Sequence, residues 1–251
     1  MSEPWKLYLT KRSLSVLFFV VVLTCVMIRE ANSGKQNFAQ QKKTIVLDPG
    51  HGGHDQGAKG PEGILEKTTT LNFSHLLAKK LGGKYSVYLT RTDDYGIDFS
   101  ARTAVANHFE ADLFLSIHTG GSFLHQTSGM SLYYHKSVSG TTLTLKTEPI
   151  QTADENNSQI LWVNIQNRHQ KNSQLLAELI QHHIKQIKVV KSEIQGVPAM
   201  VLEGADMPAI LLEIGYITNP SEEKSLRDIN VLTNIAEGIE KGINDFFEKV
   251  R

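Results

Sequence analysis

The chain has 251 residues, 40% hydrophobic and 21% charged, which fits a globular protein and excludes a disordered or fibrous one. Its 26 basic and 26 acidic residues cancel, so no net field favours nucleic acid or an anionic membrane surface. The single cysteine, Cys25, lies in an N-terminal apolar run, so any metal site in the body must be built from histidine and carboxylate.

At the N-terminus, Lys6, Lys11 and Arg12 precede an almost wholly apolar stretch from Leu14 to Ile28. That stretch is long for the apolar region of a signal peptide and short for a full membrane span. Residues 1–33 therefore read as a cleaved signal peptide, with Ala31-Asn32-Ser33 as its cleavage site, or as a retained signal-anchor holding the chain to the membrane through residues 14–28. Either reading exports the body to the cell envelope. A lipoprotein reading of Leu23-Thr24-Cys25 is weaker, because threonine is bulky before a modified cysteine. Residues 34–43 are polar and read as a linker.

The body alternates strands and helices. The β-branched and apolar run Thr44–Leu47 predicts a strand, halted at Asp48-Pro49-Gly50. Leu71, Leu76, Leu77 and Leu81 recur near helical spacing and predict a helix over 69–81, ended by Gly82-Gly83. A strand over 85–89 follows, then a helix over 101–109 with Ser100 as its cap, then strands over 112–117 and 129–134. Residues 137–157 are rich in Thr, Ser, Gln and Asn, show no period, and read as an inserted loop. A long helical pattern covers 160–187, with Leu175, Leu176, Leu179, Ile180, Ile184 and Ile187 on one face. Residues 195–202 read as a turn into a strand, and 209–214 as a buried strand. The last helix, over 230–250, carries the stripe Leu232, Ile235, Ile239, Ile243, Phe246 and Phe247. The alternation predicts one α/β domain over 44–251, a mostly parallel central sheet flanked by helices on both faces.

In open α/β sheets, ligands collect beyond the carboxyl ends of strands. His51 and His118 each follow an apolar run, and Glu66 precedes a helix N-terminus, where the dipole favours a carboxylate. Alone, each reads more readily as a satisfied loop histidine or a simple first-turn glutamate. Together they form a zinc set of three protein ligands with a fourth position open. Glu213 lies in an apolar strand, where an unpaired carboxylate is costly. Either Arg91 or Arg102 neutralises it, or it stands beside a metal-held water and moves that water's proton. His54 and Asp55 read as loop polarity, and His125 and His135 as neighbours of the crevice mouth. Walker-type phosphate loops and nucleophile elbows are absent from the sequence.

The run from Leu47 to Ala58 (L-D-P-G-H-G-G-H-D-Q-G-A), Glu66-Lys67, Leu89-Thr90-Arg91-Thr92, Leu113–His118 and Pro208–Pro220 occur in this order. Together they resemble the zinc-dependent N-acetylmuramoyl-L-alanine amidases of the amidase-3 type, from about Thr44 to the C-terminus. The resemblance implies one zinc ion on His51, Glu66 and His118, with Glu213 as the catalytic glutamate. It also implies peptidoglycan as substrate, cut at the amide between the lactyl group of N-acetylmuramic acid and L-alanine of the stem peptide. Two departures stand out. The family often has asparagine where this chain has Gly120. Some relatives carry an inserted helix that occludes the zinc until a partner protein withdraws it; the Thr-rich residues 137–157 are expected to form a regulatory lip there. Two other readings compete: a zinc peptidase acting on the stem peptide, and a catalytically inactive wall-binding module, which four filled chemical positions disfavour.

Overall fold

The apolar runs of the body become the strands of one six-stranded sheet in a computed structural model that describes residues 42–137, 162–187 and 191–250. The strands are β1 Thr44–Pro49, β2 Ser86–Leu89, β3 Leu113–Gly120, β4 Met130–His135, β5 Ser192–Val197 and β6 Ala209–Tyr216. The helices are α1 Glu66–Leu81, α2 Phe99–His108, α3 Gln170–Ile184, α4 Pro220–Ser225 and α5 Ile229–Lys249. The sheet order is β2-β1-β3-β6-β4-β5, and every neighbouring pair is parallel except β4 and β6. The expectations for residues 1–33, for 34–41 of the linker, and for all of 137–157 but Ser137 lie outside the described residues. Among the described residues, no helix is long and apolar enough to cross a membrane.

The two faces of the sheet are covered unequally. Ile45, Leu47, Leu113, Leu115, Ile117, Ile210 and Leu212 alternate onto one face. There they meet Phe73 and Leu77 of α1, Leu176 and Ile180 of α3, and the α5 stripe in one buried cluster. Val46, Phe114 and Ala209 point the other way, to a smaller cluster with Ala106 of α2 and a 3-10 turn at Met200–Leu202. Helices flank both faces as predicted, but α2 covers only part of the second one. Asp48, Ser116, Ser131, Tyr133 and Glu213 share the parity of that second face.

Several boundaries moved for identifiable reasons. The α1 stripe is phased on Phe73, Leu77 and Leu81, while Leu71 and Leu76 are only half-buried. The capping position of α2 is Asp98, not Ser100. The pattern over 160–187 is two helices, a 3-10 segment Trp162–Arg168 and then α3. Within the 3-10 segment, buried Gln166 donates to the carbonyls of Ala205 and Met207, both at 2.8 Å, and ties that segment to the loop before β6. The strand expected to end the 195–202 run begins earlier, at Ser192. Helix α4 had no predicted counterpart. It starts because Asn219 accepts from the amides of Ser221 and Glu222, with Pro220 in the first turn.

Candidate metal centre

The turn that follows β1 carries His51, whose φ of 63° is in the left-handed region that costs a non-glycine residue about 1–2 kcal/mol. Two buried guanidiniums hold that turn. Arg102 donates to the carbonyls of Pro49 (2.9 Å) and His51 (3.0 Å), and Arg91 to those of Pro49 (3.0 Å), Gly50 (2.8 Å) and Lys67 (2.8 Å). Arg102 also pairs with Asp48 at 2.8 Å, and Asp48 accepts from Thr90 (2.6 Å) and Ser116 (2.8 Å). Both arginines are thus engaged by Asp48 and by backbone oxygens, and neither neutralises Glu213.

His118 lies inside β3, which runs on to Gly120, and not past its end. Its imidazole packs on Gly50, where an added Cβ would collide with the ring. Glu66 is the first residue of α1 rather than a residue before it. Its Oε2 accepts from the Ala58 amide at 2.8 Å, and its Oε1 from the Thr119 amide at 2.9 Å. Oε1 is also 3.1 Å from Nε2 of His51 and 3.1 Å from Nδ1 of His118. One ligand atom from each of His51, Glu66 and His118 falls within 4.8 Å of the others, so the cluster could hold a metal ion. Two imidazole nitrogens and one carboxylate oxygen are a donor set suited to zinc.

The other nitrogen of His51, Nδ1, is 2.8 Å from Asp55 Oδ2. A carboxylate there fixes the tautomer and turns Nε2 toward the cluster. Asp55 is thus more than loop polarity, and a carboxylate four residues after a histidine was the available clue. Burial pushes the Glu66 carboxyl up, but the hydrogen bonds from His118 and His51 outweigh it and hold the group far below the usual carboxylate range. Burial lowers His51, yet hydrogen bonds and charge from Glu66 and Asp55 leave it raised.

Glu213 stands opposite His118 across the β3–β6 pair and opposite Ser131 across the β6–β4 pair. It is half-buried, and burial raises its pKa; Tyr133 Oη lies 3.4 Å from its Oε2. The arrangement is therefore a proton-accepting carboxylate next to a cluster able to bind a cation. A cavity of about 580 Å³ opens beside it, lined by His51, His118, His54, Asp98 and Phe99 among others. His125 and His135 do not join the cluster. They contact the carbonyls of Thr218 (2.8 Å) and Ala199 (3.4 Å).

Residues 45–245 match the family described as N-acetylmuramoyl-L-alanine amidase. N-acetylmuramoyl-L-alanine amidase AmiC of Escherichia coli O6:H1 is 30% identical, with the match covering 81% of this chain and 52% of that protein. The amidase AmiA of Salmonella typhimurium is 32% identical, covering 82% of this chain and 76% of that one. The chain thus spans only about half the length of some of the curated relatives it matches. Among solved structures, the catalytic domain of CwlV, N-acetylmuramoyl-L-alanine amidase from Bacillus (Paenibacillus) polymyxa var. colistinus, superposes with a TM-score of 0.65 and 27% identity. That match covers 82% of this chain and 98% of the CwlV domain.

Proposed function

The chain belongs to the amidase-3 family of N-acetylmuramoyl-L-alanine amidases, and from that membership we propose that it hydrolyses peptidoglycan at the amide between the muramic lactyl group and L-alanine. His51, Glu66 and His118 would hold one zinc ion. A zinc ion bound there supplies positive charge that polarises the scissile carbonyl and makes water a nucleophile near neutral pH. Glu213 then takes the attacking water's proton on its carboxylate and returns it to the departing L-alanine nitrogen. Its raised pKa suits a group that must both accept and release a proton. Asp55 keeps His51 in the required tautomer. The N-terminal residues 1–33 would export the catalytic body, 44–251, to the cell envelope, with 34–43 as tether.

One observation carries this reading: three ligand atoms converge within 4.8 Å next to the strand position that presents Glu213. The test is mass spectrometry of fragments released from purified sacculi in the presence of zinc. Glycan strands with a free lactyl carboxyl, together with peptides bearing a free L-alanine amine, are expected. Shortened stem peptides would mark a zinc peptidase instead. Binding to sacculi with no release would mark an inactive wall-binding module.

A further inference from the structure

A break in strand register sets the surroundings of Glu213. Along β3, His118 and Gly120 are two positions apart; along β6, their partners Glu213 and Tyr216 are three apart. The extra residue is a β-bulge, and Gly215 within it has φ 152°, a conformation that L side chains rarely adopt. In a regular strand, residues three apart point to opposite faces. The bulge restores Tyr216 to the face of Glu213. Its ring then lies over Gly120, where an added Cβ would come within 2.5 Å of ring carbons and 2.9 Å of Glu213 Oε2. A side chain at 120 would collide with the ring and the carboxylate.

The neighbouring strand completes the enclosure. Tyr133 lies two residues beyond Ser131, the partner of Glu213, and so shares its face. Its hydroxyl donates to Glu213 Oε2 at 3.4 Å. The Tyr216 ring and Glu213 Oε2 converge over Gly120, and the Tyr216 hydroxyl lies 3.3 Å from Ser131 Oγ. Burial, with the nearby Glu213 charge, pushes the Tyr133 hydroxyl up to about 12, and burial raises Tyr216 as well, so both stay protonated donors at neutral pH.

We propose that Tyr133 and Tyr216 are positioning residues that grip the Glu213 carboxylate from two strands and hold it toward the metal cluster. An ungripped glutamate on this half-open face would sample several rotamers, and each departure from the reactive geometry slows the step. The proposal rests on the reading of Glu213 as the proton carrier.

Tyr133→Phe, Tyr216→Phe and the double variant keep the rings, and hence the packing, while removing the hydroxyls. With a soluble N-acetylmuramoyl peptide as substrate, kcat should fall about tenfold for each single variant and about a hundredfold for the double, as expected for hydrogen bonds to a charged group. KM and bound zinc should stay at parent values. Parent kcat in the phenylalanine variants, with Glu213→Gln inactive, overturns the grip. So does a loss of zinc, or a rise in KM at unchanged kcat, which would assign the tyrosines to structure or binding. Activity retained by Glu213→Gln is a separate failure, of the proton-carrier reading itself.

Discussion

Replacing Asp48 with alanine should cost the protein much of its stability. The carboxylate is fully buried and accepts from Arg102, Thr90 and Ser116 at 2.6–2.8 Å. Removing one partner of a buried pair costs about 3–5 kcal/mol, because the remaining charge is stranded. Arg102 would keep three carbonyl acceptors, on Ile97, Pro49 and His51, which moderates that penalty. Two hydroxyls, however, would also lose their charged acceptor, and we expect a loss of about 4 kcal/mol. Against a total of about 5–15 kcal/mol, that leaves a marginal fold. At about 2–4 °C per kcal/mol for a chain of this size, the midpoint should fall by about 8–16 °C. Asp48→Asn keeps the volume and one acceptor oxygen but removes the charge, and should cost about half as much. Because the same arginine holds the His51 carbonyl, zinc affinity should also fall about tenfold. Urea titration followed by circular dichroism reads the first quantity, and competition with a chromophoric chelator the second. A loss below about 1 kcal/mol for Asp48→Ala would refute the claim that this ion pair braces the site.

Asp55→Ala should weaken zinc binding about tenfold, at the low end of effects for such supporting carboxylates because Asp55 is largely exposed; unchanged affinity by chelator competition would count against its orienting role. The metal-free protein should be most stable between the ordinary pKa of glutamate, 4.5, and that of histidine, 6.5. The depressed Glu66 stabilises above 4.5 and loses its contribution as pH falls through its folded value. The raised His51 stabilises below 6.5 and loses its contribution as pH rises through its folded value. Thermal midpoints of the chelator-treated protein across pH read this window, and a midpoint that climbs steadily through it would contradict the assignment. Gly242→Ala should cost about 1–3 kcal/mol, since its Cβ would fall 2.5 Å from the Ile180 backbone where α5 crosses α3; a neutral result in urea titration would mean that the two helices can separate without loss.

Strands β1, β3 and β6 were legible because a central strand reads as a mostly apolar run, and theirs do, interrupted only by residues such as Ser116 and Glu213 that face the crevice side. The α5 stripe was legible because the helix repeat puts all six predicted residues on its buried side. What the sequence hid was mostly tertiary. The helical pattern over 160–187 breaks at His169, and the 3-10 segment before it is held by Gln166, whose carbonyl partners lie some forty residues away. Ser100 and Asp98 are both capping types, and only the backbone geometry chooses between them. Arg91 and Arg102 offered themselves as partners for Glu213, and nothing local in the sequence signals that carbonyls and Asp48 would occupy them. His51, Glu66 and His118 do come together, with Glu213 opposite His118, because the turn after β1, the first turn of α1 and the later halves of β3 and β6 meet at one rim. Tyr216 is hidden because its placement depends on a one-residue bulge that a glycine permits without announcing it, and Tyr133 because only the β4–β6 pairing brings it beside Glu213.

The lopsided helix cover lets the chain separate durability from chemistry. Three helices and most of the apolar contacts anchor one side of the sheet, while Tyr133 and Glu213 belong to the thinly clad side. Half-buried residues there, unlike the buried Asp48, can be exchanged with less harm to folding, so a lineage could retune what the cleft recognises while its foundation stays untouched.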